Sequence, residues 1–159
     1  MHYSHQIKLI AMDMDGTLLN SKQQVSPGNA AALQRAHEQG VHLAICSGRP
    51  VGDIGLFALE NGLQNCTLLS LNGTYCATGI EEAPFANHCF APSALERMVD
   101  VMERSGELFA CFSSNTVVGF DSVSGRRWDG IMTPHNDPRS SVLIKGREGL
   151  AHVWQDGVN

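Results

Sequence analysis

No apolar run in the 159 residues approaches the ~20 that a membrane-spanning helix needs. The first six residues, Met-His-Tyr-Ser-His-Gln, lack the basic-then-apolar order of a secretion signal. Basic side chains are scarce. Eleven Lys and Arg against 16 Asp and Glu give a formal charge of −5 and a pI near 5.7, which argues against a nucleic-acid or anionic-membrane surface. The five cysteines are odd in number, widely spaced and without a Cys-x-x-Cys, so a disulfide framework is not expected. The seven histidines show no zinc-ligand spacing. Reduced thiols in a cytoplasmic protein are the expectation. Internal repeats and low-complexity tracts are missing too. What is present is a globular composition, 43% hydrophobic and 17% charged, at the length of one domain or slightly more.

The stretch around which the rest is organised is Ile-Lys-Leu-Ile-Ala-Met-Asp-Met-Asp-Gly-Thr-Leu-Leu-Asn, residues 7–20. Residues 7–12 are nearly all apolar and read as a short strand buried on both faces, as in a parallel sheet. Two aspartates one residue apart end it. Side chains at i and i+2 of an extended backbone project to one side, so Asp13 and Asp15 can aim into one volume. Carboxylates that close repel unless a cation, a proton or backbone N–H groups intervene. Gly16 permits a sharp turn and a close approach of backbone amides. A hard cation such as Mg²⁺ takes carboxylate oxygens and leaves room for a phosphate oxygen. Asp-Gly alone is only a turn; the complete string is rarer.

Downstream, Ser26-Pro27 is a helix start and Gly40 a helix stop. Residues 41–46 form a second apolar strand. Strand, helix, strand is a βαβ unit whose two carboxyl ends share one edge, where open α/β sheets bind ligands. At that edge stands Ser47-Gly48-Arg49-Pro50. The Ser47 hydroxyl can donate to a phosphate oxygen, and Gly48 allows close approach. Arg49 either clamps substrate or salt-bridges within the loop. Residues 51–62 read as a helix and 66–71 as a third strand, followed by Asn72-Gly73-Thr74.

After Tyr75 the pattern changes. A hairpin from residue 74 leads away from the parallel layer. Ser93-x-x-Glu96 reads as a capping box for a helix lined by Leu95, Met98, Val99 and Met102 and stopped by Gly106, with Asp100 and Arg104 as an i, i+4 pair. Residues 108–120 form a second hairpin, 122–140 a loop, 142–144 a strand and 148–155 a helix. This is an α+β module.

Asp-x-Asp-Gly-Thr at 13–17 resembles the first motif of the haloacid dehalogenase superfamily of phosphohydrolases, and Ser-Gly-Arg-Pro at 47–50 resembles the second motif of its Cof-type members. Asn72-Gly73 matches an Asn-Gly pair that Cof-type proteins carry beside the active site, although a plain turn explains it equally. The resemblance implies an α/β fold: a Rossmann-like core over residues 1–81, with an incomplete parallel sheet, and a partial α+β cap over 82–159. It implies a sugar-phosphate type phosphatase. Asp13 attacks phosphorus to give an aspartyl-phosphate, and Asp15 serves as acid and then base. Mg²⁺ is held by Asp13 and Asp15. Gly16, Thr17, Ser47, Gly48, Arg49 and Asn72 bind phosphate or substrate. The implied partner is a small phosphorylated metabolite.

The family's third-motif lysine and fourth-motif Gly-Asp-x-x-Asn-Asp are not found; the only lysines are Lys8, Lys22 and Lys145. The chain therefore reads as truncated at its C-terminus and feeble or inactive alone. Without later strands, residues 7–12 become an apolar edge that invites self-association. Two rivals stand. One is a non-catalytic phosphate- or Mg²⁺-binding module. The other is a receiver-type signalling domain, disfavoured because its third strand should end in an aspartate rather than Ser70-Leu71-Asn72. A dinucleotide oxidoreductase lacks its Gly-x-Gly-x-x-Gly.

Overall fold

The apolar stretches assemble two sheets in a computed structural model that describes residues 7–120 and 142–151. In the first, β1 (Leu9–Asp13) and β2 (His42–Cys46) run parallel, joined by α1 (Pro27–Glu38). The α1 start follows from local chemistry: Ser26 Oγ accepts from the Asn29 N–H at 3.1 Å, and Pro27 occupies the first turn. A second crossover, α2 (Val51–Glu60), leads to β3 (Thr67–Ser70), parallel to β2. The order is β1-β2-β3-β4-β5, where β4 is Tyr75–Ala77 and β5 is Ala86–Asn87. The α/β class follows.

The hairpin after residue 74 does not leave the layer. Leu71, Asn72 and Gly73 all adopt positive φ (50, 58 and 90°), and this left-handed turn reverses the chain so that β4 pairs antiparallel with β3. The first sheet therefore extends past residue 81 to Asn87.

The register puts Ile10 opposite Leu43, and Met12 opposite Ile45, which is opposite Leu68. That face packs with Leu33, Val51, Ile54 and Ala58 in one apolar cluster. The expectation that the first strand is buried on both faces fails. Ile7 and Leu9 are 66% and 58% exposed, because β1 ends the strand order and only its Ile10 and Met12 side meets the cluster.

The second sheet, β6 (Phe109–Phe112), β7 (Thr116–Phe120) and β8 (Val142–Lys145), has β6 and β7 as a hairpin and β7 parallel to β8. Leu95 and Val99 of α3 (Pro92–Ser105) join Val118, Phe120 and Leu150 in its core, and Phe109 stacks on Phe120 at 4.4 Å. The capping box does not form: Pro92 takes the first helical position, so Ala91 is the cap and Ser93 lies inside the helix. Met98 is exposed, while Met102 is half-buried. Asp100 does not pair with Arg104, whose Nε donates to the Asp100 backbone carbonyl at 2.8 Å. The Asp100 carboxylate, with that of Glu103, accepts instead from Arg147, which follows β8. Two acceptors on one guanidinium outbid a single exposed helix neighbour and hold the Arg147 pKa well above its usual range. The expected loop 122–140, with Arg126, Arg127, Trp128 and Asn136-Asp137, lies outside the described residues, as does the end of the expected final helix. Among the described residues no helix is long and apolar enough to cross a membrane.

Two measurements check this packing. A Cβ on Gly55 of α2 would stand 2.4 Å from the Ile80 Cβ. Gly55→Ala is therefore expected to destabilise by about 1–3 kcal/mol in urea unfolding, as overpacking does, and adding Ile80→Gly, which removes the opposing Cβ, to relieve the clash. Burial also pushes the Cys66 thiol up to about 11 from 9.0. The folded state thus keeps a proton that the unfolded chain releases above pH 9. Stability is full below pH 9 and falls by about 2–3 kcal/mol between pH 9 and 11. Burial raises Cys76 and Cys111 in the same direction. A melting temperature that falls less over this range in Cys66→Ala is the expected signature.

Candidate active site

The parallel register places Asp13 opposite Cys46, and Cys46 opposite Leu69. Directly paired residues share a face, so these three side chains form a row across the carboxyl ends of β1, β2 and β3. The next residue after β2 is Ser47. An open cleft of about 300 Å³ lies there, lined by Asp13, Cys46, Ser47, Gly48, Leu69, Asn72 and Gly73. Of the residues expected from sequence, Asp13, Ser47, Gly48 and Asn72 are thus brought together. This is the carboxyl edge at which open α/β sheets bind ligands.

Ser47 is only 7% exposed. Its Oγ accepts from the Arg49 N–H at 3.2 Å, and among the described residues no acceptor takes its own hydroxyl proton. Ser47 is also one of the residues lining the cleft. Gly48 lies against Asn72: a Cβ there would stand 3.4 Å from the Asn72 Oδ1, in van der Waals contact. The loop carrying both residues is held from β3. The Ser47 N–H donates to the Leu69 carbonyl at 2.9 Å, and the Asn72 N–H to the Ser47 carbonyl at 3.1 Å. Ser70, fully buried, donates its hydroxyl to the Arg49 carbonyl at 2.8 Å, which also accepts from the Leu71 N–H at 3.2 Å. Left-handed Leu71 and Asn72 are strained positions for residues with side chains. They turn the chain where Asn72 must reach the cleft.

Asp15, Gly16, Thr17 and Arg49 do not line the cleft. Gly16 takes φ +78° in the turn after β1, which the Leu19 N–H closes onto the Met14 carbonyl at 2.9 Å. Gly16 and Thr17 are exposed. The Asp15 carboxylate is engaged by Arg49, with Nη2 to Oδ1 at 2.7 Å and Nε to Oδ2 at 3.2 Å. Of the two readings left open for Arg49, the ion pair is the one seen. It joins the loop after β1 to the loop after β2. Sequence reasoning missed Cys46, Leu69 and Ser70. Each looks like an ordinary strand or turn residue, and only the register shows its place.

The donor set bears on a metal. Among the described residues no group of three His, Cys, Asp or Glu could hold an ion. A self-sufficient metal cage is therefore not built here. One or two carboxylates beside an open cleft do fit Mg²⁺, which keeps several waters and completes its shell with substrate oxygens.

The chain belongs to the haloacid dehalogenase-like hydrolase family, whose model matches residues 10–148. It is 50% identical over 67 residues to the phosphatase YwpJ of Bacillus subtilis (strain 168), covering 42% of this chain and 23% of that protein. It is 54% identical over 43 residues to 5-amino-6-(5-phospho-D-ribitylamino)uracil phosphatase YcsE of the same organism, covering 27% of this chain and 17% of that protein. A solved haloacid dehalogenase-like hydrolase from B. subtilis superposes with a TM-score of 0.65 at 27% identity, over 71% of this chain and 39% of that one. These matches span well under two thirds of the relatives' own length.

The brace from β3 is directly testable. Ser70→Ala removes a buried donor and is expected to cost about 1 kcal/mol of stability. Faster hydrogen exchange at the Leu71 and Asn72 amides should accompany the loss.

Proposed function

We propose that this chain carries the phosphoryl-transfer half of a Mg²⁺-dependent phosphatase acting on small phosphomonoesters of the sugar-phosphate type. The observation that carries the proposal is that Asp13 and the buried hydroxyl of Ser47 line one cleft at the carboxyl ends of adjacent parallel strands. A phosphoryl group there meets a carboxylate oxygen on one side and hydrogen-bond donors on another.

In this reading an Asp13 oxygen attacks phosphorus while the bond from phosphorus to the ester oxygen breaks, giving an aspartyl-phosphate. The departing oxygen takes its proton from Asp15. Water then attacks the same phosphorus, returns a proton to Asp15 and releases phosphate with Asp13 restored. Ser47 holds an equatorial oxygen, Gly48 lets it approach, and Asn72 contacts it from the turn after the third strand. Mg²⁺ held by Asp13 and Asp15 supplies positive charge against the transferring group when bound. Gly16 and Thr17 supply backbone donors at the turn. The sheet of β6, β7 and β8 with α3 belongs to the portion, 82–159, read as a cap that selects substrate. Names of the relatives support the substrate class: YcsE acts on a phosphorylated ribityl compound.

Among the described residues no lysine lines the cleft. Since one positioned electrostatic donor is worth about 10²–10³ in rate, slow turnover is expected from this chain. The test is hydrolysis of a panel of sugar phosphates with and without Mg²⁺. A slow release of phosphate that EDTA abolishes, and that Asp13→Asn lowers by at least about 10³, as loss of a nucleophile does, is the expected result. Turnover that survives Asp13→Asn would sink the assignment. Phosphate binding in calorimetry with no turnover at any Mg²⁺ concentration would favour the non-catalytic binding module instead.

A further inference from the structure

We infer that Arg49 is a positioning residue that works as a latch: it holds Asp15 outside the cleft until an anionic phosphoryl group entering beside Ser47 draws the guanidinium away. This rests on the reading of the cleft as a phosphate site.

The Arg49 guanidinium forms a two-pronged pair with the Asp15 carboxylate at 2.7 and 3.2 Å, and its Nη2 also reaches the Gln23 Oε1 at 3.4 Å. Gln23 sits in the loop between β1 and α1 with a left-handed φ of 58°. One side chain from the loop after β2 thus ties down two segments that follow β1. The Arg49 backbone, by contrast, is fixed. Its N–H donates to Ser47 Oγ, and its carbonyl is held by Ser70 Oγ and the Leu71 N–H. Only the long side chain is free to change partner.

The cleft offers the alternative partner. Arg49 follows directly on Ser47 and Gly48, both of which line the cleft, whereas Asp15 does not line it. A phosphoryl group carries close to two negative charges near neutral pH and presents several acceptor oxygens, against one charge on Asp15. Guanidinium matches both geometrically, as a fork onto two oxygens. The existing pair is half-exposed, 41% for Arg49 and 52% for Asp15, so water and salt screen it and it holds weakly. A dianion in a recess lined by the buried Ser47 is the stronger competitor. When Arg49 transfers, Asp15 and Gln23 are released together, and the Asp15 carboxylate is free to turn toward the ester oxygen. The arrangement couples arrival of the anion to presentation of the second carboxylate.

The test uses the whole chain labelled with ¹⁵N and ¹³C, titrated with inorganic phosphate and followed by NMR. The Arg49 Nε–H signal, assigned with Arg49→Lys, is expected to move over the same concentration range as the Ser47 and Gly48 amides. The Asp15 carboxyl carbon should move with it. Arg49→Lys keeps the charge and loses the fork, so its Asp15 carbon should already lie close to the phosphate-bound position before any phosphate is added. Movement of the Ser47 and Gly48 amides with Arg49 and Asp15 unchanged would overturn the latch and leave the phosphate site standing. No movement at Ser47 and Gly48 would overturn both.

Discussion

The arrangement depends on one register. β1 pairs with β2 in parallel so that Asp13 meets Cys46. Because the strands are parallel, their carboxyl ends share an edge, and the residue following each strand emerges at the same height. A shift by one residue would send Asp13 to the helix-covered face and bring Met12 or Met14 to the cleft. The apolar side chains prevent it. Ile10 and Met12 pack toward the helices with Leu43, Ile45 and Leu68, and a slip of β1 would take both of them out of that cluster at once. The chemistry at the edge is therefore positioned by hydrophobic burial several residues away.

The third strand contributes rigidity rather than reactive groups. Ser70, the Leu69 carbonyl and the Leu71 and Asn72 amides all attach to the loop that carries Ser47 and Arg49. The left-handed turn over Leu71, Asn72 and Gly73 stores strain, and it does two things for that expense. It reverses the chain to start β4, and it directs Asn72 onto Gly48. Strained non-glycine residues beside a cleft are consistent with a site whose geometry is held by its surroundings.

Charge is distributed differently in the two sheets. Near the cleft, one guanidinium bridges two loops and takes Asp15 from the volume it was expected to share with Asp13. Beside the second sheet, Arg147 gathers Asp100 and Glu103 on α3 and ties the end of β8 to that helix. Both are exposed pairs that contribute modestly to stability. Their consequence is geometric: each decides where a carboxylate points.

What the amino-acid order determined by itself was everything governed by neighbours within a few residues. The apolar run ending in Asp13, the Ser26 cap with Pro27, and the stops at Gly40 and Gly106 rest on backbone sterics and local hydrogen bonds, which act over about one turn. The pairing of motifs at 13–17 and 47–50 was legible too, because the two strands of a βαβ unit run parallel and so share one carboxyl edge. Only the tertiary structure decided the rest. Arg49 meets Asp15 across 34 positions and Arg147 meets Asp100 across 47, and no periodicity in the sequence encodes such meetings. The buried face of β1, the return of β4 into the sheet, and the brace from Ser70 were likewise settled by which strands found partners. Backbone hydrogen bonds between strands join residues far apart in sequence, and only the assembled sheet reveals which side chains they bring together.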